Sequence, residues 1–376
     1  MTSCVGNAFI TPILQRFDYS PMQIGATMTC AALAAAAAKP LWGFVNDRWA
    51  CAKQVLMAVM AVGCAAYGLL ILSGGNPYAT VPAAMLLYVT FLCMMGFVDS
   101  WAVRLISDGW TLSYAATRAG GSFSYAVMAV AFGAVMQRRG PGPGLPILLV
   151  LLALLCVTAL SLPNPRRLAG KGEKAVSMGS AVRYLTHNRI FLIAVVAYFL
   201  CSLTSTAMDS FFSVLVTDLG GAESQVGQGL FLQAMSEVPI MVAYGWFRRR
   251  ARWPAAVFLG MGMAFFGLKC LGMGLAHSFP MLFAMTLLHG LCFATLTAGC
   301  VDFILENVEP AYLATAHLFY SAVGNSLGAV CGNALNGALA ERIGVGPMMT
   351  VVSTGAFAGA ILVFFTVYLG RKGRKT

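Results

Sequence analysis

Charged side chains are scarce in this sequence of 376 residues. Lysine, arginine, aspartate and glutamate together make up 10% of the chain, whereas 59% of its residues are apolar. A soluble domain has about 25% charged residues, so this composition excludes a soluble globular protein. The composition indicates an all-α polytopic membrane protein.

Acidic residues are the scarcer charged type, with 13 against 24 basic residues and a formal net charge of +11. An excess of positive charge can indicate a nucleic-acid-binding protein. Here the basic residues lie in short loops between apolar runs and form no cluster on a domain surface. The pattern is typical of membrane topology, and we expect no nucleic-acid partner.

Sequence motifs of enzymes are also missing. The 11 cysteines stand singly in apolar runs, without a CxxC pair or a zinc-binding spacing. The chain has no HExxH or GxSxG motif, which would indicate a metalloprotease or a serine hydrolase. We therefore expect neither an enzyme nor a bound metal or cofactor.

One long hydrophilic segment, residues 163–189, interrupts the series of apolar runs and contains a single acid, Glu173. Its six basic residues are Arg166, Arg167, Lys171, Lys174, Arg183 and Arg189. Segments rich in lysine and arginine stay on the cytoplasmic side of a membrane. We therefore predict a first bundle at 1–162, a cytoplasmic central loop at 163–189, and a second bundle with a basic cytoplasmic tail at 190–376.

The apolar runs predict twelve membrane-spanning helices, six on each side of the central loop. The run Val5–Leu14 spans only about 15 Å as a helix, about half of a bilayer core, so we predict that Met1 falls inside an incomplete first helix. With the loop inside, 17 basic residues fall in cytoplasmic segments and four in outer segments. This bias supports an orientation with the loop and the C-terminus in the cytoplasm.

Four ionisable residues fall deep inside apolar runs of the second half, where a charge costs at least about 2.5 kcal/mol of insertion free energy. Asp209 and Lys269 lie at the same depth in the outer half of the membrane, which predicts a charge pair. This pair either holds the bundle together or lines a cavity. Glu237 and His289 lie at mid-membrane depth, where a carboxylate and an imidazole can exchange protons near neutral pH.

Two further charges, Asp99 and Arg118, lie near the inner ends of adjacent helices. They predict either a salt bridge or a polar clamp on a substrate. The eleventh run carries a polar stripe at steps of three and four residues, which places its members on one helix face. The stripe consists of His317, Ser321, Asn325, Gly328, Gly332 and Asn336. It fits either close helix packing or the lining of a water-filled cavity in which Asn325 would contact a substrate.

The string PLWGFVNDRWACAK, residues 40–53 between the second and third runs, resembles the cytoplasmic signature of the major facilitator superfamily. The resemblance implies that the gating residues are Gly43, Asp47, Arg48 and Lys53. The corresponding string of the second half, YGWFRRRAR, has Arg249 where an acid is expected. The resemblance implies the major facilitator fold, in which two six-helix bundles alternate access to a site at mid-membrane.

Four other strings resemble the branch of lactose permease, nucleoside proton symporters and aromatic-acid permeases. They are MSEVPIM, LLHGLCF, RAGGS and ENVEPAYLATAHLFYSAVGNSLGAVCG. This resemblance implies that Asp99, Arg118 and Glu237 contact substrate.

The same resemblance implies a proton pathway through Glu237, Lys269 and His289. Asp209 matches an aspartate that pairs with a lysine in lactose permease. A glutamate that serves as a proton site in lactose permease is Cys292 here, so proton binding would depend on Glu237 or Asp209.

We therefore expect a secondary active transporter that moves a small polar solute across the cell membrane by alternating access. The solute is a sugar, a nucleoside or an organic acid, and the expected mode is proton-coupled symport driven by the proton gradient. A substrate antiporter or drug exporter of the same fold is the alternative. The expected partners are the solute and the lipid bilayer, and the chain is expected to be a monomer.

Overall fold

The structure is a computed structural model that describes residues 1–49, 52–107, 114–161, 178–251 and 253–373. Within these ranges the side chains of several stretches are not described, notably 39–49, 99–107 and 114–119. All regular secondary structure in the described ranges is helical. The all-α class predicted from composition is therefore confirmed.

The first half contains six helical segments, each of which overlaps one predicted span. The first begins as a π-helical turn, Cys4–Ala8, and continues as α1 (Ile10–Arg16). The others are α2 (Pro21–Trp49), α3 (Ala52–Leu72), α4 (Pro77–Ser107), α5 (Tyr114–Arg139) and α6 (Gly144–Ser161).

The second half begins with a short helix, α7 (Met178–His187), inside the predicted central loop. The spans that follow are α8 (Arg189–Asp218), α9 (Glu223–Ala251), α10 (Ala255–Gly274), α11 (Phe279–Leu287) with α12 (His289–Asn307), α13 (Leu313–Phe319) with α14 (Gly328–Ile343), and α15 (Val345–Gly373). A π-helical segment, Tyr320–Leu327, joins α13 to α14. The tenth and eleventh spans are thus helical but interrupted.

Seven helices in the described part of the chain are long and apolar enough to cross a membrane, and two shorter apolar helices accompany them. The remaining predicted spans are helical but more polar or less regular. For example, α9 contains Gln233 and Glu237, and the eleventh span is divided by its π-helical segment. In the described part of the chain, twelve helical segments besides α7 match the twelve runs of the sequence.

Helix α7 shows that the central loop is not entirely irregular. Ala181 and Leu185 are almost completely buried, and the ring of Tyr184 stacks on that of Tyr312 with centroids 4.3 Å apart. The sequence analysis treated this stretch as a loop. The four-residue spacing of Ala181 and Leu185 was the signal for a helix.

The described chain forms two compact units, one of Met1–Lys171 with Val216–Phe231 and one of Gly172–Leu215 with Leu232–Thr376. In the first unit, Arg16 Nε lies 2.6 Å from Glu223 Oε1. In the second, α10 packs against α12 and α15. A Cβ at Gly262 of α10 would lie 2.6 Å from the backbone nitrogen of Leu296, so this glycine permits close approach of two helices. The predicted bundles, 1–162 and 190–376, stay a prediction.

Arg248 joins the C-terminal ends of α9 and α12 to the start of α10. Its Nε donates to Asp302 Oδ2 at 3.1 Å, its Nη2 donates to Glu306 Oε1, and its Nη1 donates to the Trp253 carbonyl at 2.7 Å. Glu306 Oε2 also accepts the Ala255 N–H at 2.9 Å. The acid that the second-half string lacks at Arg249 is thus supplied from α12.

We expect Arg248→Met to lower the thermal unfolding midpoint of the purified protein. Both acids are more than a quarter exposed, so the expected loss is about 1 kcal/mol, the upper end of the range for ion pairs that solvent screens. Arg249→Met is the matched control, because Arg249 is adjacent and exposed. Equal unfolding midpoints for the two variants would contradict the assigned role of Arg248.

Candidate functional site

Lys269 is the most unusual buried residue of the second unit. It lies in α10 and its side chain is 2% exposed. An amino group at this position must find polar partners, because a buried polar group without a hydrogen bond costs about 1–3 kcal/mol. Its partners therefore indicate where polar chemistry is concentrated in the unit.

Lys269, His289 and Gln233 form a closed triangle of polar contacts, here called the Lys–His–Gln triangle. Lys269 Nζ lies 3.2 Å from His289 Nδ1 and donates to Gln233 Oε1 at 3.4 Å. The third side joins Gln233 Nε2 to His289 Nε2 at 3.4 Å. The three residues come from α10, α12 and α9, so the triangle connects three helices of one unit.

His289 is positioned by an interruption of the tenth span. Helix α11 ends at Leu287 and α12 begins at His289 itself. The next residue, Gly290, donates its N–H to Ser236 Oγ of α9 at 3.0 Å. The imidazole stacks on Phe293, with centroids 5.6 Å apart, and meets the edge of Phe266. Discontinuous helices near the bilayer midplane are typical of transporter binding sites.

The matched depth of Asp209 and Lys269 predicted a charge pair, and Asp209 lies in α8. Among the residues that the structure describes, Asp209 forms no ion pair with Lys269 within 4.0 Å. Its side chain is exposed, whereas that of Lys269 is buried beside His289 and Gln233. The amino group contacts the imidazole and the amide instead of the Asp209 carboxylate.

Two other predicted residues lie in the same unit. Glu237 follows Gln233 by four residues on α9, which places both on one face of that helix, and its side chain is half-buried. Asn325 is exposed in the π-helical segment, where its backbone carbonyl accepts a hydrogen bond from Ser202 Oγ at 3.2 Å.

The polar stripe of the eleventh span is exposed at one end and buried at the other, and its assignment to a cavity lining stays a prediction. His317 and Asn325 are exposed, whereas Gly332 and Asn336 are buried, and Asn336 Nδ2 donates to the Leu203 carbonyl of α8. A π-helix has more residues per turn than an α-helix. The residues before and after Tyr320–Leu327 therefore lose the alignment that a continuous α-helix would give them.

Six predicted residues have side chains outside the described part of the structure. Asp99 falls in α4 and Arg118 in α5. The gating residues fall in α2 and α3 and are Gly43, Asp47, Arg48 and Lys53. Their assignments to substrate binding and gating stay predictions.

Gln233 is the residue of the site that the sequence analysis missed. Glutamine carries no charge, so it did not stand out among the ionisable residues of the apolar runs. Its signal was its position, one helical turn before Glu237 in an apolar run.

Comparisons with known proteins agree with this architecture. The profile of the MFS_1 like family matches residues 6–351. The maltose permease of Geobacillus stearothermophilus is 24% identical over 340 residues, which cover 90% of this chain and 84% of that protein. The putative nucleoside transporter YegT of Escherichia coli is 23% identical, over 90% of this chain and 82% of its own.

Among solved structures, two crystal structures of the nucleoside transporter NupG have the same fold. One has a TM-score of 0.82 at 16% sequence identity, and the other a TM-score of 0.76 at 18% identity. Both alignments cover 98% of this chain and 96% of the other. These relatives are membrane transporters and not enzymes. The chain is therefore a multi-pass membrane transporter of small molecules, and it belongs to the MFS_1 like family of the major facilitator superfamily.

Proposed function

We propose that this transporter is a proton-coupled symporter of a small polar solute. A sugar or a nucleoside is the preferred solute class, and an organic acid is the second candidate. The observation that carries the proposal is the buried amino group of Lys269 within 3.2 Å of His289 Nδ1. Two basic nitrogens so close together cannot both be protonated without strong repulsion. A site of this kind binds and releases protons when its surroundings change.

The assignment of roles follows the depth and the neighbours of each residue. The Lys–His–Gln triangle holds the proton-handling bases, with Asp209 as the nearby acid. Glu237 lies one turn from the triangle on α9 and exchanges a proton as solute binds and leaves. Asp99, Arg118 and Asn325 contact the solute, and the residues of the 40–53 string control gating.

The proposed solute class draws on the relatives named above, a maltose permease and nucleoside transporters. The proposed orientation places the central loop and the C-terminus in the cytoplasm, supported by the distribution of basic residues. The chain acts as a monomer that alternates access to a site at mid-membrane.

The direct test is uptake of radiolabelled maltose and of uridine into proteoliposomes, with and without an imposed pH gradient. Proton symport predicts accumulation only when the compartment outside is acidic. Uptake that is the same with and without the pH gradient, together with efflux stimulated by an opposing solute, would favour the antiporter alternative instead.

We expect Glu237→Gln to abolish gradient-driven accumulation while it preserves exchange of solute across the membrane. The amide keeps the size and hydrogen bonding of the carboxyl group but cannot release a proton. Counterflow and accumulation are measured on the same proteoliposomes. Gln228→Glu is the control for a general effect of charge on α9, and accumulation by Glu237→Gln at the wild-type level would rule out its proton role.

A further inference from the structure

The Lys–His–Gln triangle restricts the number of protons that its members can hold. Each residue contacts both of the others, with separations of 3.2, 3.4 and 3.4 Å. Every contact needs one donor and one acceptor, and the donors and acceptors of the three side chains are known. The possible protonation states can therefore be counted from the contacts alone.

A charged lysine cannot satisfy the triangle. Its ammonium group is only a donor, so His289 Nδ1 must accept and the imidazole proton must stand on Nε2. That N–H then faces the NH2 group of Gln233, which is also a donor. Turning the amide by half a turn removes this conflict but brings the NH2 group against the ammonium of Lys269.

A protonated histidine fails for the same reason. The imidazolium donates from both nitrogens, so a neutral Lys269 amine must accept on one side and the Gln233 oxygen on the other. The NH2 group of Gln233 then faces an amine whose one lone pair is already occupied. One of the three contacts is again left as two opposed donors.

The triangle closes completely only when both bases are neutral. With the amide oriented as in the structure, Lys269 donates to Gln233 Oε1, and the triangle closes if His289 Nδ1–H donates to Lys269 Nζ and Gln233 Nε2–H donates to His289 Nε2. Reversing all three donors gives a second closed arrangement. Both contain one proton fewer than any charged state.

We propose that Gln233 is a positioning residue. Its amide fixes the hydrogen bonding of the triangle, so that the triangle responds to the binding of a single proton. The closed triangle is the state in which both bases are neutral, and binding of one proton breaks one of its three contacts. The released cation is then free to interact with Asp209, the acid that already acts electrostatically on Lys269. Proton binding in this way changes the connection between α9, α10 and α12.

The count concerns the three contacts of the triangle itself, and other ionisable groups lie near Lys269. Besides Asp209, they are the thiols of Cys270 and Cys292, and α9 contributes Glu237. Helix α15, which packs on α10, contributes no ionisable residue between positions 345 and 367. The inference deepens the proposed proton coupling and rests on it for its role in transport, but the protonation state can be measured without any solute.

The test is 15N NMR of the full-length protein in lipid nanodiscs at neutral pH, with 15Nζ-labelled lysine. The signal that disappears in Lys269→Met identifies Lys269. In the unsubstituted protein we expect the chemical shift of a neutral amine, and an ammonium shift would overturn the proposal. 15N-labelled histidine gives a second measurement that needs no variant at position 233, in which an imidazolium shift for His289 would equally overturn it.

Gln233→Glu reverses the expectation. A carboxylate accepts on both oxygens, so a charged Lys269 can donate to it and to His289 Nδ1 while His289 Nε2–H donates to the second oxygen. We expect an ammonium shift for Lys269 and loss of gradient-driven accumulation in this variant. A neutral amine in Gln233→Glu would refute the role of the amide. If the unsubstituted protein takes up solute equally with and without the pH gradient, the proposed symport is refuted instead. Failure of the role of Gln233 and failure of the proposed symport are therefore distinguishable.

Discussion

Lys269→Met is expected to abolish solute accumulation driven by a pH gradient. Methionine has a similar length but no donor or acceptor of comparable strength, so Gln233 Oε1 and His289 Nδ1 both lose their partner. Each buried polar group left without a hydrogen bond costs about 1–3 kcal/mol. We therefore expect a lower thermal unfolding midpoint as well, measured on the purified protein beside uptake in proteoliposomes.

The matched control is Leu268→Met, which introduces the same side chain at the neighbouring position of α10. Leu268 is 46% exposed, so this change should leave accumulation and the unfolding midpoint close to those of the unsubstituted protein. The double variant Asp209→Asn with Lys269→Met separates charge balance from proton handling. It is expected to restore neither the unfolding midpoint nor accumulation, because Gln233 Oε1 and His289 Nδ1 still lack their partner. Wild-type accumulation by Lys269→Met would remove Lys269 from the mechanism.

Gly290→Ala is expected to disrupt both folding and transport through a single methyl group. A Cβ at this position would lie 2.1 Å from the Ser236 carbonyl oxygen and 2.6 Å from its carbon. These are backbone atoms of α9, so relief requires the two helices to move apart. Overpacking of this kind costs about 1–3 kcal/mol, and the separation would pull His289 away from Gln233.

Gly245→Ala is the control for Gly290→Ala, because a Cβ at Gly245 would meet nothing within 4 Å. The two variants make the same chemical change at glycines of helices that pack in one unit. The yield of folded protein, the unfolding midpoint and accumulation are compared between them. Equal values for the two variants would show that the contact between Gly290 and Ser236 does not position the site.

The helical segments could be read from the sequence because membrane insertion is a local property. An apolar run of about 20 residues satisfies its backbone hydrogen bonds only as a helix in lipid, whatever surrounds it. The same reasoning identified Lys269, His289 and Glu237, since an ionisable group in such a run stands out. Gln233 did not stand out, because an uncharged amide gives a weak signal.

Depth and periodicity were less reliable where the helices are irregular. The matched depth of Asp209 and Lys269 predicted a charge pair, but depth does not specify how each helix is rotated about its axis, and Lys269 contacts His289 and Gln233 instead. Periodicity is limited for a related reason in the eleventh span. The π-helical segment Tyr320–Leu327 changes the rotation of the helix, and a period of 3.6 residues cannot anticipate it.

The amino-acid sequence by itself determined that this chain crosses the membrane many times, belongs among secondary transporters and carries a few ionisable residues at depth. Hydrophobicity and the placement of charges settle the membrane spans and the residues at depth segment by segment, whereas the transporter family follows from the resemblance of strings such as the one at 40–53. Only the tertiary structure decided which of those residues meet, and that the amino group of Lys269 contacts an imidazole and an amide rather than a carboxylate. Such contacts depend on helix rotation, which is set by the close approach of Gly290 to Ser236 and by the interruption at Leu288.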